Sequence, residues 1–170
     1  MERYKDITYT LDHMGVIFFP LEGTVGNLKL IPPDTLMAEL AMQDDARMRL
    51  ALIAFLLQRP DIAVHADRAL ELLSATYRNT FMVYYTVAHL LQEIYADSWK
   101  ELLGAHESIF DRYSNDLGII KDNTPEERLK MLGDKQADYT GLNLNWFGTF
   151  NHTGQRIIKW LRKRHAWATA

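Results

Sequence analysis

The chain has 170 residues, 48% hydrophobic and 24% charged, a length and balance that fit one globular domain and exclude wholesale disorder. It contains no cysteine, which excludes a disulfide framework, a thiolate-bound zinc or iron–sulfur cluster and a cysteine nucleophile. The formal net charge of −3 is unevenly spread: Phe150–Ala170 holds five basic residues and no acid, so the preceding 149 residues, with 14 basic and 22 acidic side chains, carry −8.

The first residues, Met1 to Asp6, are polar and charged with no apolar stretch behind them, so no secretory signal is read. Ile7, Tyr9 and Leu11 alternate with Thr8 and Thr10, the period of a half-buried strand. Asp12-His13-Met14-Gly15 has turn chemistry, and Val16-Ile17-Phe18-Phe19 is a β-prone run closed by Pro20. These features predict a small hairpin over 6–19. Gly23, Gly26 and Asn27 mark turns, so that residues 6–31 read as a hairpin with an extended arm.

The pattern turns helical at Pro32-Pro33-Asp34, because proline fits a first turn and an acid there complements the helix dipole. This helix is read to about Met42. A second spans roughly Asp44 to Arg59, a third runs from Pro60 to about Leu73, and a fourth covers Arg78 to Ala96. The second and fourth carry the widest apolar arcs, which makes them the expected central pair, with Ile53, Leu57, Val87 and Leu91 buried. Projection of the fourth at about 100° per residue puts Arg78, Asn79, Tyr85, Thr86, His89, Gln92 and Glu93 on a polar face. The longest near-apolar run, Phe81–Leu91, falls short of the roughly 20 residues that span a bilayer, so the chain reads as cytoplasmic, without membrane contact.

Ser98-Trp99-Lys100-Glu101 and Thr124-Pro125-Glu126-Glu127 both have the form of capping boxes, with Gly104 and Gly133 as the matching stops. Leu142-Asn143-Leu144-Asn145-Trp146 alternates and predicts a strand beside the hairpin. The last helix is read from Thr153 or Gly154 to about His165. The expected fold is mainly α: one domain over 1–170, with a small β element in 6–31 and a bundle of six or seven helices in 32–170 that ends in a basic helix.

Two weak pairs could carry chemistry. His89 and Glu93 stand one turn apart at i and i+4, a spacing that suits an acid–base pair or two metal ligands. A metal needs three or four ligands and no second pair matches, so no metal or cofactor is expected. Arg59-Pro60-Asp61-Ile62-Ala63-Val64-His65 resembles, over seven residues, the Arg-x(4–6)-His element of the helical HEPN ribonucleases, although Pro60 stands where that family has a polar residue. The resemblance implies a ribonuclease centred on Arg59 and His65. Gly23-Thr24-Val25-Gly26 lacks the lysine and following hydroxyl of a phosphate loop and reads as a turn.

The strongest candidate is the C-terminal helix, where Ile157, Ile158 and Leu161 can anchor one side. Arg156, Lys159, Arg162, Lys163 and Arg164, with Trp167, are then left as a binding surface. The other late aromatics, Trp146, Phe147, Phe150 and Trp160, read with Trp167 as core closure. The expected function is binding without chemistry: an accessory or regulatory protein that engages a protein partner or a second copy. The alternatives are nucleic-acid binding through the basic helix, and a helical nuclease or metal-dependent hydrolase.

Overall fold

In the computed structural model, which describes residues 2–20 and 26–169, the N-terminal segment is helix α1 (Glu2–His13) and not a hairpin. The buried positions Asp6, Ile7, Thr10 and Leu11 recur with helical spacing, and the alternation of Ile7, Tyr9 and Leu11 is incidental to it. The threonines adapt to the helix by bonding backwards: Thr8 Oγ1 donates to the Tyr4 carbonyl at 3.2 Å, and Thr10 Oγ1 to that of Asp6 at 2.7 Å. The expected turn does follow, at Gly15, with φ of +77°. Residues 16–20 and 26–32 form no strand. Instead, the backbone N–H groups of Lys29 and Ile31 donate to Asp6 Oδ1 at 3.0 Å and Thr10 Oγ1 at 3.1 Å, which lays this extended arm along α1. The Gly23-Thr24-Val25 part of the glycine turn lies outside the described residues.

The remaining helices are α2 (Pro33–Ala41), α3 (Ala46–Gln58), α4 (Ala66–Glu71), α5 (Ala75–Ile94), α6 (Ala96–Leu103), α7 (Pro125–Thr140) and α8 (Trp146–Thr169), with a 3-10 turn over Pro60–His65. The fold is therefore mainly helical, with eight α-helices and no strand among the described residues. None of these helices is long and apolar enough to cross a membrane. Asp45 caps α3 by accepting the Arg47 N–H at 2.8 Å. At α7 the capping box is complete: Thr124 Oγ1 accepts the Glu127 N–H, and Glu127 Oε2 accepts the Thr124 N–H.

Beyond the helix read from Pro60 to Leu73, which divides into the 3-10 turn and α4, and shifts at the start of α5 and the end of α8, three differences bear on the motifs. The first concerns α6, which starts at Ala96, so Ser98 and Glu101 lie inside it and do not form a capping box. The second is the end of α7, which runs through Gly133 and stops at Gly141 in the left-handed conformation (φ +67°). The third is the start of α8, at Trp146 rather than Thr153, with Asn145 Oδ1 accepting the Gly148 N–H at 2.9 Å. No strand forms at 142–146.

Helix α5 is the axis of the bundle, with α2, α3, α6, α7 and α8 around it. Ile53, Leu57, Val87 and Leu91 are buried, as are Trp99 and Phe150. The middle of the side of α5 read as polar, Tyr85, Thr86, His89 and Gln92, is buried too, because the segment between α6 and α7 straps across it, while Arg78 and Glu93 at its ends are exposed. Tyr85 Oη donates to the Phe110 carbonyl at 2.9 Å, while Gln92 donates to the Glu107 carbonyl at 2.9 Å and accepts the Ile109 N–H at 2.7 Å. Polar side chains on that face thus satisfy the backbone of an irregular segment that would otherwise be buried unpaired.

Candidate functional site

On α8 the residues Arg156, Lys159, Trp160, Lys163, Arg164 and Trp167 project to one side at about 100° per residue. Ile157, Ile158 and Leu161 are buried on the other, as the sequence reading requires. Every residue from Arg162 to Thr169 is exposed, and Trp167, at 80% exposure, closes no core. Trp146 and Phe150 are buried, and Phe147 and Trp160 are partly buried against the core.

The five cations fall into different environments. Arg162 is engaged by α6, with Nη2 3.3 Å from Ser98 Oγ and 3.7 Å from Glu101 Oε2. The serine and glutamate that resemble a capping box are therefore its receptor. Arg156 lies over the Trp160 ring at 4.8 Å and the Phe18 ring at 5.6 Å, and its buried Nε has no acceptor among the described residues. Burial, and after it the field of Arg47, lowers the pKa of that guanidinium. Lys159, Lys163 and Arg164 are exposed. None of Arg47, Arg156, Lys159, Lys163 and Arg164 has a carboxylate of the described residues within ion-pair distance.

Sequence reasoning missed what faces this helix. Arg47, at the start of α3, lies over the Phe19 ring at 5.6 Å, and the Phe18 and Phe19 rings meet edge to face at 4.8 Å. A cleft of about 260 Å³ opens beside them, lined by Asp12, Gly15, Val16, Ile17, Phe19 and Arg164. Its wall is anchored: Gln58 accepts the Ile17 N–H and donates to the Ile17 carbonyl, both at 2.9 Å, and Arg59 Nη1 donates to the Met14 carbonyl at 3.2 Å. The β-prone reading of residues 16–19 hid their role as a rigid aromatic loop.

The two catalytic candidates fare differently. His89 is buried beside Glu93, with Nε2 3.4 Å from Oε1 and Nδ1 2.7 Å from the Ile109 carbonyl. Glu93 also meets Arg128 at 3.7 Å, and the buried Arg128 reaches Asp111 at 3.1 Å, beside Lys121 at 3.9 Å. Burial raises the Asp111 pKa, but hydrogen bonding from Ser114 and the charges of His89 and Lys121 outweigh it and hold the carboxyl below its usual range. The network ties α5, the strap and α7 together, and each of its members already has protein partners. Arg59 forks onto Asp61 at 2.9 and 2.7 Å, and His65 is exposed at the end of the 3-10 turn. Hence Arg59 is paired with its neighbour and the wall of the cleft, in an arrangement the seven-residue resemblance does not describe. No group of three or more His, Asp or Glu side chains among the described residues is placed to hold a metal ion. The chain matches no protein-family model, no curated protein and no solved structure.

Proposed function

We propose that the protein acts by binding, as an accessory or regulatory partner of another protein, with the last turns of α8 as its contact surface. The observation that carries this reading is the exposure of Arg162–Thr169, with Trp167 almost fully in solvent beside Lys163 and Arg164, which have no carboxylate of the described residues within ion-pair distance. An exposed tryptophan ringed by charge is the usual anchor of a contact surface, and cations beside it select a partner of opposite charge. The acidic remainder of the chain makes a second copy one candidate for that partner.

Because Arg162 is held by α6, the discriminating variant combines Lys159→Glu, Lys163→Glu and Trp167→Ala. It is expected to keep the thermal midpoint of the wild-type chain, since these side chains add no core contact, and to lose at least about tenfold in affinity for a protein partner recovered by affinity capture on the wild-type chain, or for a second copy. Calorimetry and light scattering at low and high salt read both quantities, including self-association. Unchanged affinity in the triple variant would sink the proposal. Binding of nucleic acid alone, with salt dependence that drops in the variant, would favour the alternative partner.

A further inference from the structure

Arg47 lies over the Phe19 ring and Arg156 over the adjoining Phe18 ring, near enough for the charge of one to act on the other, and neither has a carboxylate of the described residues within ion-pair distance. Two neighbouring guanidiniums, one of them partly buried with an Nε that no group of the described residues accepts, form an unfavourable arrangement that a bound anion relieves. Aromatic rings fix both groups: Arg47 over Phe19, and Arg156 over Trp160 and Phe18. Their planar forks are thereby presented for the bidentate contacts that phosphate oxygens accept.

Phe19 joins this pair to the cleft, because the residue under Arg47 is also one of those that line it. The cleft adds a third guanidinium, Arg164, two turns beyond Arg156 on α8, together with the apolar Val16 and Ile17 and one carboxylate, Asp12. A carboxylate is out of place in a site for a bare anion. It suits a ligand whose other end carries N–H donors on a flat ring, which Phe19 can stack and Asp12 can accept from. The backbone that places these groups is fixed by Gln58 on both sides of Ile17 and by Arg59 on Met14.

We propose that Arg47, Arg156 and Arg164, with Phe19, Trp160 and Asp12, form a binding site for a nucleotide, its phosphate on the guanidiniums and its base in the cleft. The shared chemistry is a phosphate attached to an aromatic base, either as a free mononucleotide or within a single strand. This site shares Arg164 with the end of α8 assigned above to a protein partner, but it does not use Lys163 or Trp167.

The test titrates the full chain with adenosine monophosphate, a short single-stranded oligonucleotide and inorganic phosphate, followed by calorimetry and tryptophan fluorescence. Saturable binding of the mononucleotide or the oligonucleotide is expected, at least about tenfold tighter than inorganic phosphate, with a change in the Trp160 signal. A mononucleotide as strong as the oligonucleotide identifies a free nucleotide as the ligand, and a much stronger oligonucleotide identifies a strand. Arg47→Ala, at an exposed position that leaves the core intact, should weaken binding by about fivefold or more, and Arg156→Gln should do the same. The Lys163→Glu/Trp167→Ala variant should bind a mononucleotide as the wild type does. No saturation by either nucleotide probe at millimolar concentration overturns the proposal. So does inorganic phosphate binding as tightly as the nucleotides, or unchanged affinity in Arg47→Ala. Loss of the protein partner in the α8 variant with nucleotide binding intact, or the reverse, separates the two proposals.

Discussion

Arg156 and Arg162 lie six residues apart on one helix, yet Arg156 rests on two aromatic rings while Arg162 is held by Ser98 and Glu101. The presence of both in a basic, acid-free segment was legible in the sequence, because charge is a property of composition. Their different roles were not, since Arg162 is held from α6, and Arg156, beside Trp160 of its own helix, meets Phe18 from a loop more than 130 residues earlier in the chain. His89 shows the same limit. Its spacing to Glu93 was legible and the contact forms, but its burial under the strap depends on a segment with no regular pattern to read. Asp111, in that network, sets a pH dependence. Its pKa is lowered in the folded chain, so its contribution to stability is present above its ordinary value and is lost as pH falls through the folded one. Asp111→Asn is therefore expected to destabilise the protein most above about pH 4, with the difference from wild type shrinking below it. Thermal melts from neutral to strongly acidic pH measure this, and a constant difference at every pH would remove Asp111 from the linkage.

At the scale of elements, the amphipathic helices were legible because their apolar arcs are wide and the Thr124 box is complete. Helix α1 was not. Two buried polar residues, Asp6 and Thr10, interrupt its inward face, and they are buried because they hold the N–H groups of the arm. Gly133 misled for a related reason. It stands inside α7 where the backbone of α8 comes closest: a Cβ there would lie 2.7 Å from the Phe147 nitrogen. Glycine to alanine within a helix ordinarily stabilises by up to about 1 kcal/mol. Here the added methyl meets backbone that can yield only if α7 and α8 separate, so Gly133→Ala is expected to destabilise by roughly 1–3 kcal/mol. Urea denaturation gives the sign, and a gain in stability would show that the two helices part without cost.

For the molecule as a whole, the polarity of charge read from the sequence survives folding only in part. Arg156 is withdrawn onto aromatic rings and Arg162 onto α6, so the free cations reduce to Lys159, Lys163 and Arg164 among the described residues of α8. Sequence patterning carried the fold class because most of the helices after α1 answer to their own apolar face. The candidate site depends on α8, α3 and the loop after α1 meeting, and no periodicity within any one of them encodes that meeting.

The strap over α5 also determines how the protein opens. A helix with one wet face can exchange its amide hydrogens through small, local fluctuations, but the middle of α5 is covered by helices and, on its polar side, by the strap, which is not itself helical. Deuterium should therefore enter the strap and the last turns of α8 early, and reach the amides of Tyr84 to Leu91 only when the entire domain unfolds. Their exchange free energy should equal the global stability measured by denaturant. If those amides exchanged as fast as the exposed end of α8, the strap would be a loosely held cover that lifts while the bundle stays folded.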